Sequence, residues 1–249
     1  MTQEIHFDHV ERRIYPRTFL NTVFVVFDYN ASDEPKDLIL RIQSFIKDSF
    51  NLHVELTEKE YSDGFSIESK DAGHSYYFSR GSFGVKYMKD DYVSFTETMF
   101  PFIFRLLDFV RVVLSISMID KVKIRKVNTL SILEQGDVHD IKKKLVRDIL
   151  SNDLIALAKP TSEYLGLEDV KECTGTTNGD DFEIHFGFQR RDGSDGFRYV
   201  GLVLDESVSR KHVSLDTASD DLKEINEMIF NMFHWSITSN VVSLMNQQL

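Results

Sequence analysis

Hydrophobic and polar positions change their period several times along the chain, and each change marks a new element. Residues 19–29, "FLNTVFVVFDY", are rich in aromatic and β-branched side chains and predict a β-strand. Residues 32–51 then carry apolar side chains at helical spacing, behind a Ser or Asp N-cap and a first-turn proline. The period returns to two in three short runs separated by tight turns, "GFSIESK", "HSYYFSRG" and "FGVKYM". These runs predict an antiparallel meander.

The second half of the chain repeats this order of periods. A strand that starts at Lys121 is followed by a predicted helix over 137–150, whose inward side chains are Ile141, Leu145 and Ile149. An irregular stretch through Lys159-Pro160 leads to further predicted strands near 181–190, 197–204 and 207–215. The last helix is predicted to begin near Thr217 or Ser219. Its helically spaced apolar residues are Leu222, Ile225, Met228, Ile229, Met232 and Phe233.

The matching order of elements predicts the fold class. Both halves read strand, helix, three or more strands, helix. We therefore expect an α+β protein of two pseudo-repeated halves, residues 1–118 and residues 119–249, each an antiparallel sheet packed against helices. The repeat is one of pattern, since the two halves do not align residue by residue.

Composition places the chain among ordered globular proteins. It has 249 residues, of which 42% are hydrophobic and 28% charged, and the 20 Phe supply large apolar surfaces for a core. The single cysteine, Cys173, excludes an intramolecular disulfide. The first residues contain no apolar run of signal-peptide length, so we expect a cytoplasmic location.

The longest apolar segment, residues 94–119, is long enough to cross a bilayer, but its charges argue against that. Arg105, Asp108 and Arg111 are spaced three apart and form a charged stripe on a helix. We therefore expect no membrane insertion and a helix over 96–115 in a globular core. Its buried side chains are predicted to be Phe102, Leu106, Phe109 and Val113.

Residues 121–147 are basic, although the chain as a whole has a formal net charge of -11. This segment contains eight Lys and Arg residues and three Asp and Glu residues. The candidate binding residues are Lys121, Lys123, Arg125, Lys142, Lys143 and Arg147. Alternation places the first three on one face of the strand, which is also the pattern of a solvated strand face. A surface for a protein partner and a site for nucleic acid or phosphate are the other interpretations.

Three further patterns resemble chemistry but are better explained by turns. Residues 178–201 cluster carboxylates with His185, yet the turn dipeptides Asn178-Gly179 and Asp192-Gly193 favour a hairpin over a metal site on Asp180, Asp181 and His185. Residues 68–70 have the Glu-x-Lys spacing of some nucleases without an obvious upstream acid. Residues 79–84, "SRGSFG", contain glycines as phosphate-binding loops do, but they precede a strand and not a helix. We therefore predict a hairpin turn there. We therefore predict no catalytic residue, no metal site and no cofactor.

Three stretches together resemble one family: "FLNTVFVVFDY", "VKIRKVNTLSI" and "LKEINEMIFNMFHWSIT". The family is a sporadically distributed group of uncharacterised bacterial proteins of about this length, whose mid-chain strand typically reads Gly-Leu-Arg-Tyr-Ile-Asn-Arg-Ile. Its C-terminal helix carries an Asn, then a Phe and a short Ile-Thr turn. The matching residues are Arg125, Val127, Asn128, Asn226, Phe230 or Phe233, Ile237 and Thr238. Lys126 and Thr129 depart from the pattern, since the family has an aromatic residue and a second Arg there.

The resemblance implies a duplicated α+β fold, a bacterial origin and a patchily inherited system such as phage defence or toxin neutralisation. It implies no reaction. Together with the residue patterns, it leads us to expect a non-catalytic binding component of a bacterial cytoplasmic system with a protein partner. The alternative is a nucleic-acid-binding or phosphate-binding protein, or an enzyme, that uses the basic strand and helix at 121–147.

Overall fold

The computed structural model describes residues 3–247 with gaps at 12–14, 16–18, 31–39, 42–43, 46–58, 62–63, 70–72, 89–91, 93 and 163. The described part is mixed α+β, as the sequence predicts. The helix predicted over 32–51 lies almost wholly outside the described residues. So does Lys70, the lysine of the Glu-x-Lys pattern.

Strands and helices are interspersed along the described part of the chain. The strands are β1 (Leu20–Asp28), β2 (Lys59–Tyr61), β3 (Gly64–Ser69), β4 (His74–Ser79), β5 (Ser82–Tyr87), β6 (Met118–Leu133), β7 (Lys159–Pro160), β8 (Glu168–Thr177), β9 (Asp180–Asp192) and β10 (Arg198–Ser214). The helices are α1 (Phe100–Leu114), α2 (Val138–Ile149), α3 (Asn152–Leu157), α4 (Ala218–Ser236) and α5 (Ser239–Met245). A π-helical turn, Phe95–Met99, precedes α1.

The chain forms two compact units whose segments interleave along the sequence. The first unit contains Met1–Asn21, Arg125–Val208 and Glu227–Leu249, and the second contains Thr22–Ile124 and Ser209–Asn226. β6, β10 and α4 therefore contribute residues to both. The boundaries between the two units fall within the two longest strands, β6 and β10, and within the longest helix, α4. They lie at positions other than the predicted boundary between 118 and 119.

The second unit contains the predicted meander. Its strands follow the order β2-β3-β4-β5-β1, and β3, β4 and β5 pair antiparallel with their neighbours. Gly81, with φ of 74°, supplies the left-handed residue of the β4–β5 turn, which confirms the hairpin predicted at 79–84. The meander prediction is therefore confirmed from Gly64 to Tyr87.

Helix α1 in the second unit confirms the predicted helix but shifts its buried face. Leu106 is fully buried as expected, whereas Phe102, Phe109 and Val113 are partly exposed. The stripe that faces the core is Met99, Ile103, Leu106, Leu107 and Val110. Apolar residues occupy most of the circumference of α1, so their spacing alone does not select the buried stripe.

The first unit has the strand order β6-β10-β9-β8-β7. The β8–β9 connection is the predicted Asn178-Gly179 turn, in which both residues have positive φ, as a two-residue hairpin of this type requires. One face of β9 is apolar and buried, as predicted: Phe182, Ile184, Phe186 and Phe188. Asp137 is the N-cap of helix α2, and its carboxylate accepts a hydrogen bond from the His139 amide at 2.7 Å.

Two predictions for residues 150–215 are wrong. The stretch through Lys159-Pro160, up to the strand predicted near 181, was expected to be irregular. It contains α3, β7 and β8, and Cys173 of β8 is buried. The register of β8 shifts only between Glu168 and Lys171, but residues 171–177 have almost no large apolar side chain, so their sequence shows no hydrophobic alternation. The strands expected at 197–204 and 207–215 are one continuous strand, β10.

No helix in the described part of the chain is long and apolar enough to cross a membrane.

Candidate functional site

The basic strand lies within β6 and alternates as predicted. Val122 and Ile124 are fully buried, while Lys121 and Lys123 on the other side of the strand are partly exposed. Asn128 is buried and shares the parity of Ile124, so it lies on the face opposite Arg125. The alternation is therefore that of a strand with one buried and one accessible face.

Arg125 is held by a buried carboxylate on β10, the neighbouring strand. Its Nε donates to Asp205 Oδ1 at 2.8 Å and its Nη2 donates to Asp205 Oδ2 at 2.5 Å. The Asp205 side chain is 3% exposed. Burial alone would lower the pKa of Arg125, but the hydrogen bonds and charge of Asp205 raise it above its usual value. Arg125 therefore has an internal carboxylate partner, which argues against a role for it as a surface contact.

Tyr164 extends this pair into a network. Its hydroxyl donates to Asp205 Oδ2 at 2.9 Å, so that oxygen accepts from both Tyr164 and Arg125. The Tyr164 ring stacks on His185 of β9 with centroids 4.0 Å apart and planes within 6°. Burial, followed by the negative charge of Asp205, raises the pKa of Tyr164. The network therefore fastens the loop that carries Tyr164 to the polar face of the first unit's sheet.

The same polar face continues towards β9. Ser207 Oγ donates to Glu183 Oε2 at 3.4 Å, and His185 Nε2 lies 3.5 Å from Glu172 Oε2. The polar side chains of this face therefore contact one another. A general base or a nucleophile needs a lone pair or a proton that is accessible to a substrate. The arrangement is thus suited to fixing the sheet and the loop above it.

Lys142, the first basic residue of the predicted patch on α2, is also engaged internally. Its Nζ lies 2.6 Å from both Glu168 Oε2 and Asp169 Oδ2, and 5.2 Å from the centre of the Phe188 ring. Phe188 belongs to the apolar face of β9, which is opposite to Glu183. Lys142 and Arg125 therefore lie on opposite faces of the first unit's sheet, and the structure does not bring them together.

The remaining basic residues of α2 are exposed. Lys143 faces solvent, and Arg147 forms a surface pair with Asp148, Nε to Oδ1, at 2.8 Å. Exposed pairs of this kind contribute little to stability because water screens them. Lys143 and Arg147 are the predicted site residues of α2 that remain accessible at the surface.

The alternative metal site is not assembled. Asp180 shares the parity of Phe182 and is buried, whereas His185 projects from the opposite, polar face of β9. The two side chains therefore cannot bind one ion. Across the described residues, no group of three His, Cys, Asp or Glu side chains is placed to bind a metal.

A surface feature that the sequence interpretation missed is the tip of the β9–β10 hairpin, residues 191–199, which we call the hairpin tip. Asp195 Oδ1 accepts from the Phe197 amide at 3.0 Å, and Asp195 Oδ2 accepts from the Tyr199 hydroxyl at 2.6 Å. The Gly193 amide donates to the Phe197 carbonyl at 2.7 Å. Although these bonds order its backbone, Phe197 is 58% exposed.

The hairpin tip also has a depression of about 350 Å3, lined by Arg191, Asp192, Gly193, Ser194, Asp195 and Tyr199. Arg198 pairs with Asp192, Nε to Oδ1, at 3.2 Å. Within the described ranges, no carboxylate lies at ion-pair distance from Arg191. A sequence signal was present, because an aromatic residue that directly follows two turn dipeptides, Asp192-Gly193 and Asp195-Gly196, has little chain around it to bury it.

No protein-family model matches this chain, and a search of curated proteins finds no match either. The family resemblance of the three quoted stretches therefore stays a prediction.

Proposed function

We propose that the chain is a non-catalytic binding component that recognises a protein partner, and that the hairpin tip makes the central contact. The observation that carries this proposal is the exposed ring of Phe197 on a hydrogen-bonded turn. A buried aromatic side chain removes about 150 to 250 Å² from water, and aromatic anchors carry much of the energy of protein interfaces.

The order of the hairpin tip favours binding for a second reason. Association costs free energy when loops and side chains must be fixed in one conformation. Asp195 already holds both Phe197 and Tyr199, so much of that ordering is complete before a partner arrives. Arg191 adds a positive charge to the same hairpin tip. The partner we infer has an apolar pocket for Phe197 and a carboxylate opposite Arg191.

The alternative is binding of nucleic acid or phosphate by the basic strand and helix at 121–147. Lys143, Lys144 and Arg147 on α2 are its remaining support, since all three are exposed. It is supported less than the hairpin tip, because Arg125 and Lys142 are neutralised by Asp205 and by Glu168 with Asp169. The resemblance supports a place in a bacterial cytoplasmic system such as phage defence or toxin neutralisation.

We also infer that the two halves of the chain are pseudo-repeats. In each half the opening strand lies beside the last strand of its own meander, β1 beside β5 and β6 beside β10. The meander strands then follow outward in reverse order, β4-β3-β2 and β9-β8-β7. An experimental structure tests this inference. Superposition of β1 and β3–β5 on β6 and β8–β10 would support it, and a different strand order in one half would exclude it.

The test of the binding function compares Phe197→Ala with the parent chain in affinity capture from its native host. Leu165→Asn is the matched control, because Leu165 is also an exposed apolar residue of the first unit, and Asn tolerates its positive φ. We expect one protein to be captured by the parent and the control but lost with Phe197→Ala, at equal thermal stability of all three chains.

Two results would contradict the proposal. Equal capture by Phe197→Ala and the parent would remove the hairpin tip from the contact. Salt-sensitive retention of DNA or RNA by the parent, lost on replacing Lys143 and Lys144 by Glu, would favour the alternative function.

A further inference from the structure

Glu206 of β10 is a buried carboxyl group on the opposite face from Asp205. It has 0% exposure, and its Oε1 lies 3.0 Å from the Oγ of Ser236, the last residue of α4. Its Oε2 has no hydrogen-bond partner among the described residues. A carboxylate in such a place is costly unless its charge is matched, so the protonation state of Glu206 needs an account of its own.

The proton count at Ser236 supplies that account. Ser236 Oγ lies 2.8 Å from the Met232 carbonyl, one turn earlier in α4, as well as 3.0 Å from Glu206. A hydroxyl has one proton to donate, and a backbone carbonyl only accepts. If the Ser236 proton is donated to Met232, the bond between Ser236 and Glu206 requires a proton from the carboxyl group. Both contacts are satisfied together only when Glu206 is protonated.

The surrounding charges do not replace that proton. Two groups favour the ionised form, first the Ser236 hydroxyl of α4 when it donates to Glu206 and then Lys126 on β6, whereas Asp205 on β10 opposes it. No other charged group in the described part of the chain acts appreciably on Glu206. Burial dominates and raises the pKa of Glu206 to about 8.

We propose that protonated Glu206 is a pH-sensitive latch that joins β10 to the last turn of α4, and that loss of its proton opens this joint. The residues that follow Ser236 continue the joint to α2. The Ser151 amide donates to the Ser236 carbonyl at 2.9 Å, and the Thr238 amide donates to the Ile149 carbonyl at 2.8 Å. A change at Glu206 is therefore transmitted to the junction between α2 and α3. The latch is independent of the binding function proposed for the hairpin tip.

The direction of the pH effect follows from linkage. The pKa of Glu206 is higher in the folded chain than in the unfolded chain, so its contribution is complete in acid and is lost as the pH rises through about 8. Between the unfolded and folded pKa values, this group lowers the folding equilibrium constant about tenfold for each pH unit. Glu206→Gln keeps a neutral donor for Ser236 and removes the proton, so we expect that component of the pH dependence to vanish.

The direct experiment is carbon-13 NMR of the intact parent chain with labelled glutamate side-chain carboxyl carbons. We expect one resonance to remain in the protonated position at neutral pH and to titrate in alkali. It should be absent in Glu206→Gln and shifted in Ser236→Ala. Glu224→Gln is the control, because Glu224 is an exposed partner of Arg210 and its loss should leave the resonance assigned to Glu206 unchanged.

Hydrogen exchange tests the opening itself. The amides of Ser151 and Thr238 should lose protection above the pH at which the shifted resonance titrates, while the hairpin amides of the hairpin tip keep theirs. If every glutamate resonance of the folded parent titrates at ordinary acidic pH, Glu206 is ionised and the latch is excluded. This measurement needs no variant, so failure of Glu206→Gln to fold would not protect the proposal.

Discussion

Arg125 and Asp205 form a doubly hydrogen-bonded ion pair in the first unit, between residues 80 positions apart in the sequence. The arginine is partly accessible, whereas the carboxylate is almost fully buried. A basic residue that the sequence offers as a surface contact is thus a structural partner. The pair fixes the relative register of β6 and β10.

Arg125→Met should destabilise the chain strongly, because it leaves the buried Asp205 with Tyr164 alone. Removing one partner of a buried pair costs about 3 to 5 kcal/mol. Urea unfolding near neutral pH measures this cost. Lys143→Met on exposed α2 is the control, and substitutions of that kind stay within about 0.5 kcal/mol. Adding Asp205→Asn to Arg125→Met should recover part of the loss, and no recovery would mean that the carboxylate is not the cause.

Tyr164→Phe should cost about 1 to 3 kcal/mol of unfolding free energy, because it removes a hydrogen bond to a buried charged group. The ring remains, so its stacking on His185 should survive. Tyr199→Phe is the matched change, since Tyr199 donates to Asp195 at the exposed hairpin tip, where water replaces the lost bond. Equal effects of the two substitutions would show that Asp205 does not depend on Tyr164.

Leu106→Ala should cost about 2 to 5 kcal/mol, the range for truncating a fully buried leucine. Val112→Ala on the same helix should be nearly neutral, because Val112 is 77% exposed. Thermal or urea unfolding of both variants measures the contrast. If Val112→Ala is the more damaging change, the core-facing side of α1 is assigned incorrectly.

Gly175→Ala tests the contact between β8 and the N-terminal segment. An added Cβ would lie 2.3 Å from the backbone oxygen of Gln3, so the segment must move away. We expect about 1 to 3 kcal/mol of destabilisation, as in other overpacked sites. The amide of Ile5, which donates to Thr176, should exchange faster. Thr174→Ala is the control, because Thr174 is exposed and its replacement should leave the Ile5 amide protected. Unchanged exchange of the Ile5 amide in Gly175→Ala would mean that the N-terminal segment does not pack against Gly175.

The sequence predicts the elements that have a clear hydrophobic period, and the prediction is wrong where that period is weak or ambiguous. The alternation of β6 and the helical spacing of α2 are local, and both predictions are confirmed. β8 was missed, because residues 171–177 have almost no large apolar side chain and show no hydrophobic alternation. The buried face of α1 was predicted incorrectly, because apolar residues occupy most of the circumference of this helix and their spacing does not single out one stripe.

The candidate site was harder to predict, because its chemistry depends on partners that are distant in the sequence. The exposure of Lys143 follows from the helical pattern alone. The neutralisation of Arg125 requires Asp205 to lie on the adjacent strand, and that of Lys142 requires the first residues of β8 to lie beside α2. A count of charges over a short segment does not include these distant partners. It therefore describes one basic surface where the structure has two opposite faces of a sheet.

The pairing of residues 3–5 with β8 protects the outer edge of the first unit's sheet from other chains. Gln3 and Ile5 take the backbone groups of Thr176, while β7 covers Lys171 and Glu172 further along the same strand. Pro160 lies in β7, at the outermost position of the strand order, where the loss of an amide donor is tolerated. An uncovered strand edge invites intermolecular strand addition and aggregation. With both ends of β8 occupied, little contiguous backbone is left for a second chain to extend.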